Sequence, residues 1–204
     1  GEGGHTAVKP DGSVVYANDR GRTTRFDRES GQARNITVWP EWEQGEALND
    51  VKYRFYYTFP VLLSAHDPGV LYTAAQYVFR STDEGNSWDQ ISPDLTQNRA
   101  AAMDWMTGGP ISSTADDTFW GSIIRTIAES PLQEGELWVG TDDSKVQVSR
   151  DGGGRWMDVS PPDLPEWTTI TAIDVSRHRP GTVYVSAERH RLSDRTPYLY
   201  KTTD

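Results

Sequence analysis

Short stretches in which apolar and polar residues alternate, separated by turn-forming residues, run through most of this chain of 204 residues. Such alternation is typical of β-strands that bury one face. Clusters of glycine, proline, aspartate and serine between the stretches are typical of tight turns. The pattern therefore predicts an all-β protein of short strands joined by hairpins.

The clearest periodic feature is a short strand, a proline, glycine or aspartate turn, and then a β-branched strand that carries an aromatic residue. It occurs four times, and the aromatic residues are Tyr16, Tyr72, Trp138 and Tyr184. Successive aromatic residues are about 46 to 66 positions apart, which brackets the length of a propeller blade with insertions of variable size. Each unit divides into four short strands at its turn signals. The sequence thus predicts a β-propeller with about four four-stranded blades.

A second motif, S-x-D-x-G-x-x-W, occurs twice, starting at Ser81 and at Ser149. It suits a tight hairpin, because the Ser and Asp side chains can bond the turn's own amides and glycine supplies a left-handed residue. The tryptophan then begins the outgoing strand as a large packing residue. The residues given these structural roles are Ser81, Asp83, Gly85 and Trp88 in the first copy, and Ser149, Asp151, Gly153 and Trp156 in the second. The motif is the Asp-box, and the chain resembles the BNR/Asp-box repeat of sialidase-like and sortilin-type β-propellers.

The four blades are predicted at residues 1–38, 61–91, 123–159 and 170–204, with long loops at residues 39–60 and 92–122. The last blade stops inside what should be another Asp-box, at residues 202–204, so its outer strand is missing. We therefore expect the chain to be a segment of a larger propeller whose polypeptide continues on both sides.

Strict up-and-down alternation of the strands sorts the connections between the two faces of the disc. The Asp-boxes lie on one face, and the longer connections, at residues 39–60, 92–122, 160–169 and 188–197, lie on the other, called the loop face below. Ordered loops on a rigid scaffold are where binding residues usually occur. Aromatic rings suit sugar or peptide surfaces, and an arginine can clamp a carboxylate. The predicted ligand-binding residues are Trp42, Tyr53, Arg54, Trp105, Trp120, Trp167, Arg189 and His190. For the rings of the first insertion, the alternative is that they pack the insertion onto neighbouring blades.

The loop face also carries acidic residues that bear on catalysis. A glycosidase needs two carboxylates that face one another across the scissile bond. Candidates are Asp116, Asp142 and Asp143, although some such set is expected on any face of a chain with 30 acidic residues. The Arg-Ile-Pro sequence usual near the start of a sialidase propeller is absent. The sequence therefore favours a non-catalytic protein. If the protein is an enzyme, the sequence favours a glycoside hydrolase.

Charge and composition exclude several classes of function. The chain has 20 basic and 30 acidic residues, a net charge of −10, which argues against a surface for nucleic acid or anionic membrane. It has no cysteine, and its four histidines are scattered without ligand spacing, so no metal or other cofactor is predicted. No apolar run is long enough to span a membrane.

Segments spread over nearly the whole chain are similar to a group of large secreted bacterial proteins that carry a sortilin-type propeller and are often labelled glycosyl hydrolase or BNR-repeat proteins. The segments begin at Lys52, Arg80, Ser92, Gly108, Gly140, Pro161 and Tyr198. The resemblance implies a location that is secreted, periplasmic or at the cell surface.

Three hypotheses for function follow. The leading one is a non-catalytic propeller that binds a protein, peptide or glycan on the loop face. The first alternative is a glycoside hydrolase with part of its site outside this segment. The second is a structural subunit whose open blade edges are covered by remaining blades of the same polypeptide or by a neighbouring chain.

Overall fold

The computed structural model describes residues 4–19, 21–40, 48–55, 57–99, 103 and 121–203. Within these residues the regular structure consists of short β-strands, a 3₁₀ helix, His190–Leu192, and the helical residue Met103. The strands form four antiparallel sheets, and in each sheet the strands are paired in chain order. The protein is therefore all-β, as its apolar pattern predicts.

The first three sheets have four strands each, and the fourth has three. The first sheet contains β1 (Thr6–Val8), β2 (Val14–Asp19), β3 (Arg22–Asp27) and β4 (Ala33–Asn35). The second contains β5 (Val61–Leu63), β6 (Leu71–Ala74), β7 (Val78–Ser81) and β8 (Asp89–Gln90). The third contains β9 (Ile124–Glu129), β10 (Leu137–Thr141), β11 (Val146–Ser149) and β12 (Met157–Asp158). The fourth contains β13 (Thr169–Val175), β14 (Val183–Arg189) and β15 (Asp194–Thr202).

The sheets are arranged as consecutive blades of a propeller. Their first strands lie side by side, since β1 contacts β5, β5 contacts β9 and β9 contacts β13. Three hydrophobic clusters fill the spaces between successive sheets, one for each neighbouring pair. Each cluster contains one of the repeated aromatic residues, Tyr16, Tyr72 or Trp138, from the earlier sheet. The core is thus a series of inter-blade layers, as expected for stacked repeats.

One predicted connection is wrong. Residues 188–197 were expected to form a long loop, but β14 continues to Arg189 and β15 begins at Asp194. A 3₁₀ turn bridges the two strands, and Ser193 closes it in a left-handed conformation with φ of 60°. The hydrogen bond from the Ser193 amide to the His190 carbonyl, 2.9 Å long, helps to close this turn. The connection is therefore a compact hairpin end.

The two S-x-D-x-G-x-x-W segments form the turns between β7 and β8 and between β11 and β12. In the first, the Ser81 hydroxyl accepts the Gly85 amide at 2.8 Å and donates to Asp83 at 2.8 Å. The Asp83 carboxylate accepts the Ser87 amide and hydroxyl at 2.9 and 2.7 Å. These bonds, with those from Ser87 the largest cause, lower the pKa of Asp83 to about 2. The second copy has the same pattern: Gly153 donates to Ser149, and Arg155 donates to Asp151, each at 2.8 Å.

The tryptophan of each motif fastens its blade to the preceding one. The Trp88 indole donates to the Ile36 carbonyl at 2.9 Å, and the Trp156 indole donates to the Ile91 carbonyl at 3.1 Å. Ile36 directly follows β4, and Ile91 directly follows β8, so the two contacts are equivalent. The motif therefore shapes its own turn and also positions neighbouring blades relative to each other.

Antiparallel pairing fixes which connections share a face. The motif turns lie at one end of the sheets, whereas the β2–β3, β6–β7, β10–β11 and β14–β15 turns and the connections between sheets lie at the other. This second end is the loop face. The motif turns therefore lie away from the predicted binding residues.

Candidate functional site

The predicted site residues fall into three groups in the structure. Trp42, Trp105, Trp120 and Asp116 lie outside the described residues. Tyr53, Arg54, Asp142 and Asp143 are engaged in packing or in buried hydrogen bonds. Trp167, Arg189 and His190 line one small cleft on the loop face, whose volume of about 10 Å³ has room for about one water molecule.

Asp142 lies in the β10–β11 turn and is buried. Its two carboxylate oxygens accept the amides of Gly121 and Ile123, both at 2.9 Å. Burial, with the adjacent Asp143 as the second cause, raises the pKa of Asp142 to about 7. The side chain thus fixes the start of the third blade, with both of its oxygens already bonded to backbone amides.

Asp143 is also buried and is bonded to different partners. One of its oxygens accepts the Thr141 hydroxyl at 2.6 Å, and the other accepts the Gln97 amide at 2.8 Å. Neither Asp142 nor Asp143 is exposed to a substrate, although the two are adjacent in sequence. The geometry gives the pair a structural role and does not support the catalytic role considered for it.

Arg54 is buried at the junction of the first insertion with the second and third blades. Its guanidinium donates to the Ser122 carbonyl at 3.1 Å and to Asp94 at 2.8 Å. Its backbone amide donates to the Gln76 side chain at 2.8 Å. With these bonds made, Arg54 joins the loop segments to one another, and its guanidinium is not presented to a ligand.

Tyr53 belongs to a group of packed rings. Its ring centroid is 4.9 Å from that of Phe79 and 5.9 Å from those of Trp39 and Tyr77, all in edge-to-face geometry. Phe55 adds a contact of 4.9 Å with the buried Phe59. For these rings the geometry supports the alternative in which the first insertion packs onto the blades.

The cleft that collects Trp167, Arg189 and His190 lies where the entry to β13 meets the β14–β15 turn. Thr169 and Glu188 are directly paired across β13 and β14, and both line the cleft. Arg191 and Leu192, from the 3₁₀ turn, complete its wall. Two chain segments that are about 20 residues apart in sequence therefore meet here because of strand pairing.

Arg189 is held from one side only. Its Nη1 donates to Asp194 at 2.9 Å, and its Nε is buried with no hydrogen-bond partner among the described residues. Asp194 also accepts the Thr196 amide at 2.9 Å and the Tyr198 hydroxyl at 2.7 Å. These hydrogen bonds, led by those from Thr196, hold the pKa of Asp194 well below its usual range. Asp194 is therefore a fixed negative charge that orients Arg189.

His190 and Glu188 form an exposed pair at the mouth of the cleft. The His190 Nδ1 lies 2.7 Å from a Glu188 carboxylate oxygen, and both side chains are about half exposed. The pair offers an imidazole Nε2 and a carboxylate oxygen to solvent, which are groups that hydrogen-bond hydroxyls and amides.

Trp167 is presented by a strained backbone, with φ of 59°. The guanidinium of Arg99 lies 4.5 Å from the centroid of the Trp167 ring, which is a cation–π contact. Arg99 also bonds Gln97 at 2.8 Å and lies 3.6 Å from a carboxylate oxygen of Glu166. Arg99 lies in the connection that follows the second blade, and Trp167 lies just before the first strand of the fourth blade. The cation–π contact therefore joins these two loop segments.

Sequence reasoning identified three cleft residues and missed Arg99 and Glu188. The missed residues are charged positions in polar loops and strand ends, which are common in any acidic chain. Glu188 lies two residues before His190 in the same predicted loop, and this proximity in sequence could have identified it as a site residue. Nothing in the sequence connects Arg99 with Trp167, because their contact depends on packing between blades.

The described residues contain no cluster of three or more histidine, cysteine, aspartate or glutamate side chains that could hold a metal ion. Nor does any helix within the described ranges have the length and apolarity needed to cross a membrane. The cleft offers a ring, guanidinium groups, an imidazole and a paired carboxylate. These groups are suited to binding by stacking and hydrogen bonds.

Comparison with solved structures supports the propeller architecture. The GH74 enzyme of Niastella koreensis is similar with a TM-score of 0.59 and 18% identity, over 98% of this chain and 28% of that one. The extracellular domain of a hybrid two-component system from B. thetaiotaomicron is similar with a TM-score of 0.54 and 11% identity, over 96% of this chain and 21% of that one. The WD40 repeats of RRP9 give a TM-score of 0.50 at 12% identity, over 96% of this chain and 49% of that one.

These likenesses establish the fold, and this chain spans less than a third of the first two structures. No protein-family model and no curated protein matches the sequence.

Proposed function

We propose that this chain is part of a non-catalytic binding propeller of a secreted or cell-surface protein, and that it recognises a protein, peptide or glycan on the loop face, at the surface around Trp167, Arg189 and His190. The observation that carries the proposal is the convergence of Trp167, Arg189 and His190 on one cleft. Ordered loops on a rigid propeller are a usual place for ligand recognition. Two of the similar structures are extracellular domains of hybrid two-component systems, which supports an extracytoplasmic location.

The chemistry of the cleft favours a ligand with both a flat apolar surface and hydrogen-bonding groups. The Trp167 ring can stack on a sugar face or on a peptide side chain, with Arg99 holding the ring in place. The outer nitrogen of His190 can bond hydroxyl, carbonyl or carboxylate oxygens of a ligand.

The test is a binding screen of the purified chain against immobilised soluble polysaccharides and a peptide library, followed by titration of each hit. Trp167→Ala and His190→Ala should each weaken binding at least about tenfold, equivalent to about 1.4 kcal/mol. The matched control is His178→Ala, because His178 is exposed in the β13–β14 turn on the opposite face. Hits that all three variants bind equally well would place recognition elsewhere and contradict the proposal.

A glycoside hydrolase is the second candidate, favoured by the likeness to the GH74 enzyme. Its carboxylates would include Asp116, outside the described residues, or groups on other blades, since Asp142 and Asp143 are buried. The test is the release of reducing ends from the polysaccharides that bind. Turnover by the chain that Asp116→Asn abolishes, with unchanged binding and folding, would establish the hydrolase and overturn the non-catalytic proposal.

A further inference from the structure

A groove of about 540 Å³ lies between the second and third blades. One wall is formed by residues 90–93, at the end of β8 and just beyond it, and the other by residues 151–154 of the second motif turn. Arg80, on β7, lines the same groove. In the part of the chain that the structure describes, no group accepts a hydrogen bond from the buried Arg80 Nε or forms an ion pair with the guanidinium. The groove therefore contains a cation whose charge is not neutralised by a bonded carboxylate.

The junction between the first two blades shows what occupies the equivalent position. Arg25 pairs with the repeated aromatic residue of the first blade across β2 and β3, and Arg80 pairs with that of the second blade across β6 and β7. The two arginines are therefore equivalent. The Arg25 Nε and Nη2 lie 2.7 and 2.6 Å from a carboxylate oxygen of Glu84, in the motif turn of the second blade. In this junction a glutamate from the next blade thus neutralises the arginine.

The third blade has no carboxylate at this place, because Gly152 stands where the first motif has Glu84. Both residues have a left-handed backbone, with φ of 71° and 59°, so the two turns have the same shape here. A Cβ on Gly152 would have nothing within 4 Å of it. Gly154 likewise stands where the first motif has Asn86, which Arg34 bonds in the first junction. The groove therefore lies where two polar side chains fill the space between the first two blades.

Two carboxylates near Arg80 limit which anion suits the groove. Asp89 pairs with Arg80 across β7 and β8 and is exposed, and Asp151 lines the groove. Hydrogen bonds, led by the one from the Arg155 amide, lower the pKa of Asp151, so this carboxylate is charged. Like charges placed together oppose binding, which disfavours a ligand with several carboxylates. The same two carboxylates can accept N–H groups of a ligand. A single carboxylate on a peptide with neutral neighbours meets both conditions.

We propose that this groove binds a glutamate side chain of a partner protein, and that its carboxylate takes the place against Arg80 that Glu84 has against Arg25. The ligand carboxylate accepts hydrogen bonds from the Arg80 Nη atoms, because the Nε is buried. The backbone N–H groups beside that glutamate face Asp151. This groove and the loop-face cleft share no lining residue, so the site does not depend on the function proposed above.

The test is an NMR titration of the isotope-labelled chain with the peptide acetyl-Gly-Ser-Glu-Gly-Ser-amide, followed through the backbone amides of residues 150–154. Saturable shifts are expected at millimolar peptide, since one ion pair in an open groove binds weakly. The same peptide with glutamine in place of glutamate should bind roughly tenfold more weakly, because it lacks the charge-assisted hydrogen bonds. Glucuronic acid carries its carboxylate on a sugar and distinguishes an acidic glycan from a peptide.

Substitutions locate the binding in the groove. Arg80→Gln should weaken binding of the glutamate peptide roughly tenfold. The matched control is Arg150→Gln, which removes the same charge from an exposed position of the second motif turn, outside the residues that line the groove, and should leave binding unchanged.

Gly152→Glu supplies the carboxylate from within the chain, on a backbone that already suits it. The new side chain should abolish peptide binding and, by pairing with Arg80, raise the unfolding temperature above that of Gly152→Gln. Peptide binding that persists in Gly152→Glu would overturn the proposal even if Arg80→Gln fails to fold. Equal binding of the glutamate and glutamine peptides, unchanged binding by folded Arg80→Gln, or tighter binding of glucuronic acid than of the glutamate peptide would each overturn it as well.

Discussion

At the scale of single residues, the two motif tryptophans are informative because each carries one directional contact in addition to its apolar area. Replacing Trp88 by phenylalanine keeps most of the ring but removes the N–H that bonds the Ile36 carbonyl. We expect the free energy of unfolding to fall by about 1–3 kcal/mol, since a buried acceptor loses its partner. Urea titration followed by far-UV circular dichroism measures the change. Trp156→Phe should have a similar effect, because its indole N–H bonds the Ile91 carbonyl. If neither variant lowered the free energy of unfolding, the indole hydrogen bonds would not contribute to the docking of the blades.

The carboxylate of Asp83 gives a prediction about pH. Its pKa is lowered to about 2 by the amide and hydroxyl of Ser87, followed by the hydroxyl of Ser81. A depressed pKa means that the stabilisation is fully present above the unfolded value near 4 and is lost as pH falls through about 2. The difference in unfolding free energy between wild type and Asp83→Asn should therefore be largest at neutral pH and shrink in acid. Asp89→Asn, at an exposed position of β8, is the matched control for removing one negative charge from the same blade.

At the scale of elements, the motif turn and the preceding blade are in such close contact that glycine is required. Gly85 has φ of 83°, and a Cβ there would lie 2.6 Å from the Ile36 side chain. Gly31, in the equivalent turn of the first blade, has φ of 70° but nothing within 4 Å of its Cβ position. Gly31→Ala should therefore cost about 1 kcal/mol from backbone strain alone, and Gly85→Ala should cost more because of the added clash with Ile36.

The double variant Gly85→Ala, Ile36→Ala separates the clash from the strain. Ile36→Ala removes the contacts at 2.6 and 3.2 Å but keeps the Ile36 Cβ at 2.8 Å, so the cost of Gly85→Ala should fall in this background without reaching that of Gly31→Ala. Thermal and urea unfolding of the four variants supply the double-mutant cycle. Additive effects would show that the turn and the preceding blade are not coupled through this contact.

The positions of most strands could be predicted from the sequence, and the reason lies in the turns between them. Strand positions follow from local signals, because each turn contains glycine, proline or aspartate and each motif forms bonds within itself. The two strands of the β14–β15 hairpin are predicted, but their ends are assigned to a loop because they are polar: Glu188, Arg189 and Asp194 resemble loop residues, while pairing across the sheet makes them strand. The cleft was found in part for the same reason, since contacts between blades, such as Arg99 on Trp167, leave no periodic signal in the chain.

At the scale of the whole molecule, the layered core predicts an uneven distribution of stability. Every residue of β6 and β10 is buried, and each strand lies in the middle of a blade that has neighbours on both sides. The strands β4 and β15 are mostly exposed and lie at sheet edges. In stacked repeats each unit is stabilised by its neighbours, so opening is easiest in exposed strands at sheet edges. Amide hydrogen exchange should therefore be slowest in β6 and β10 and fastest in β4 and β15.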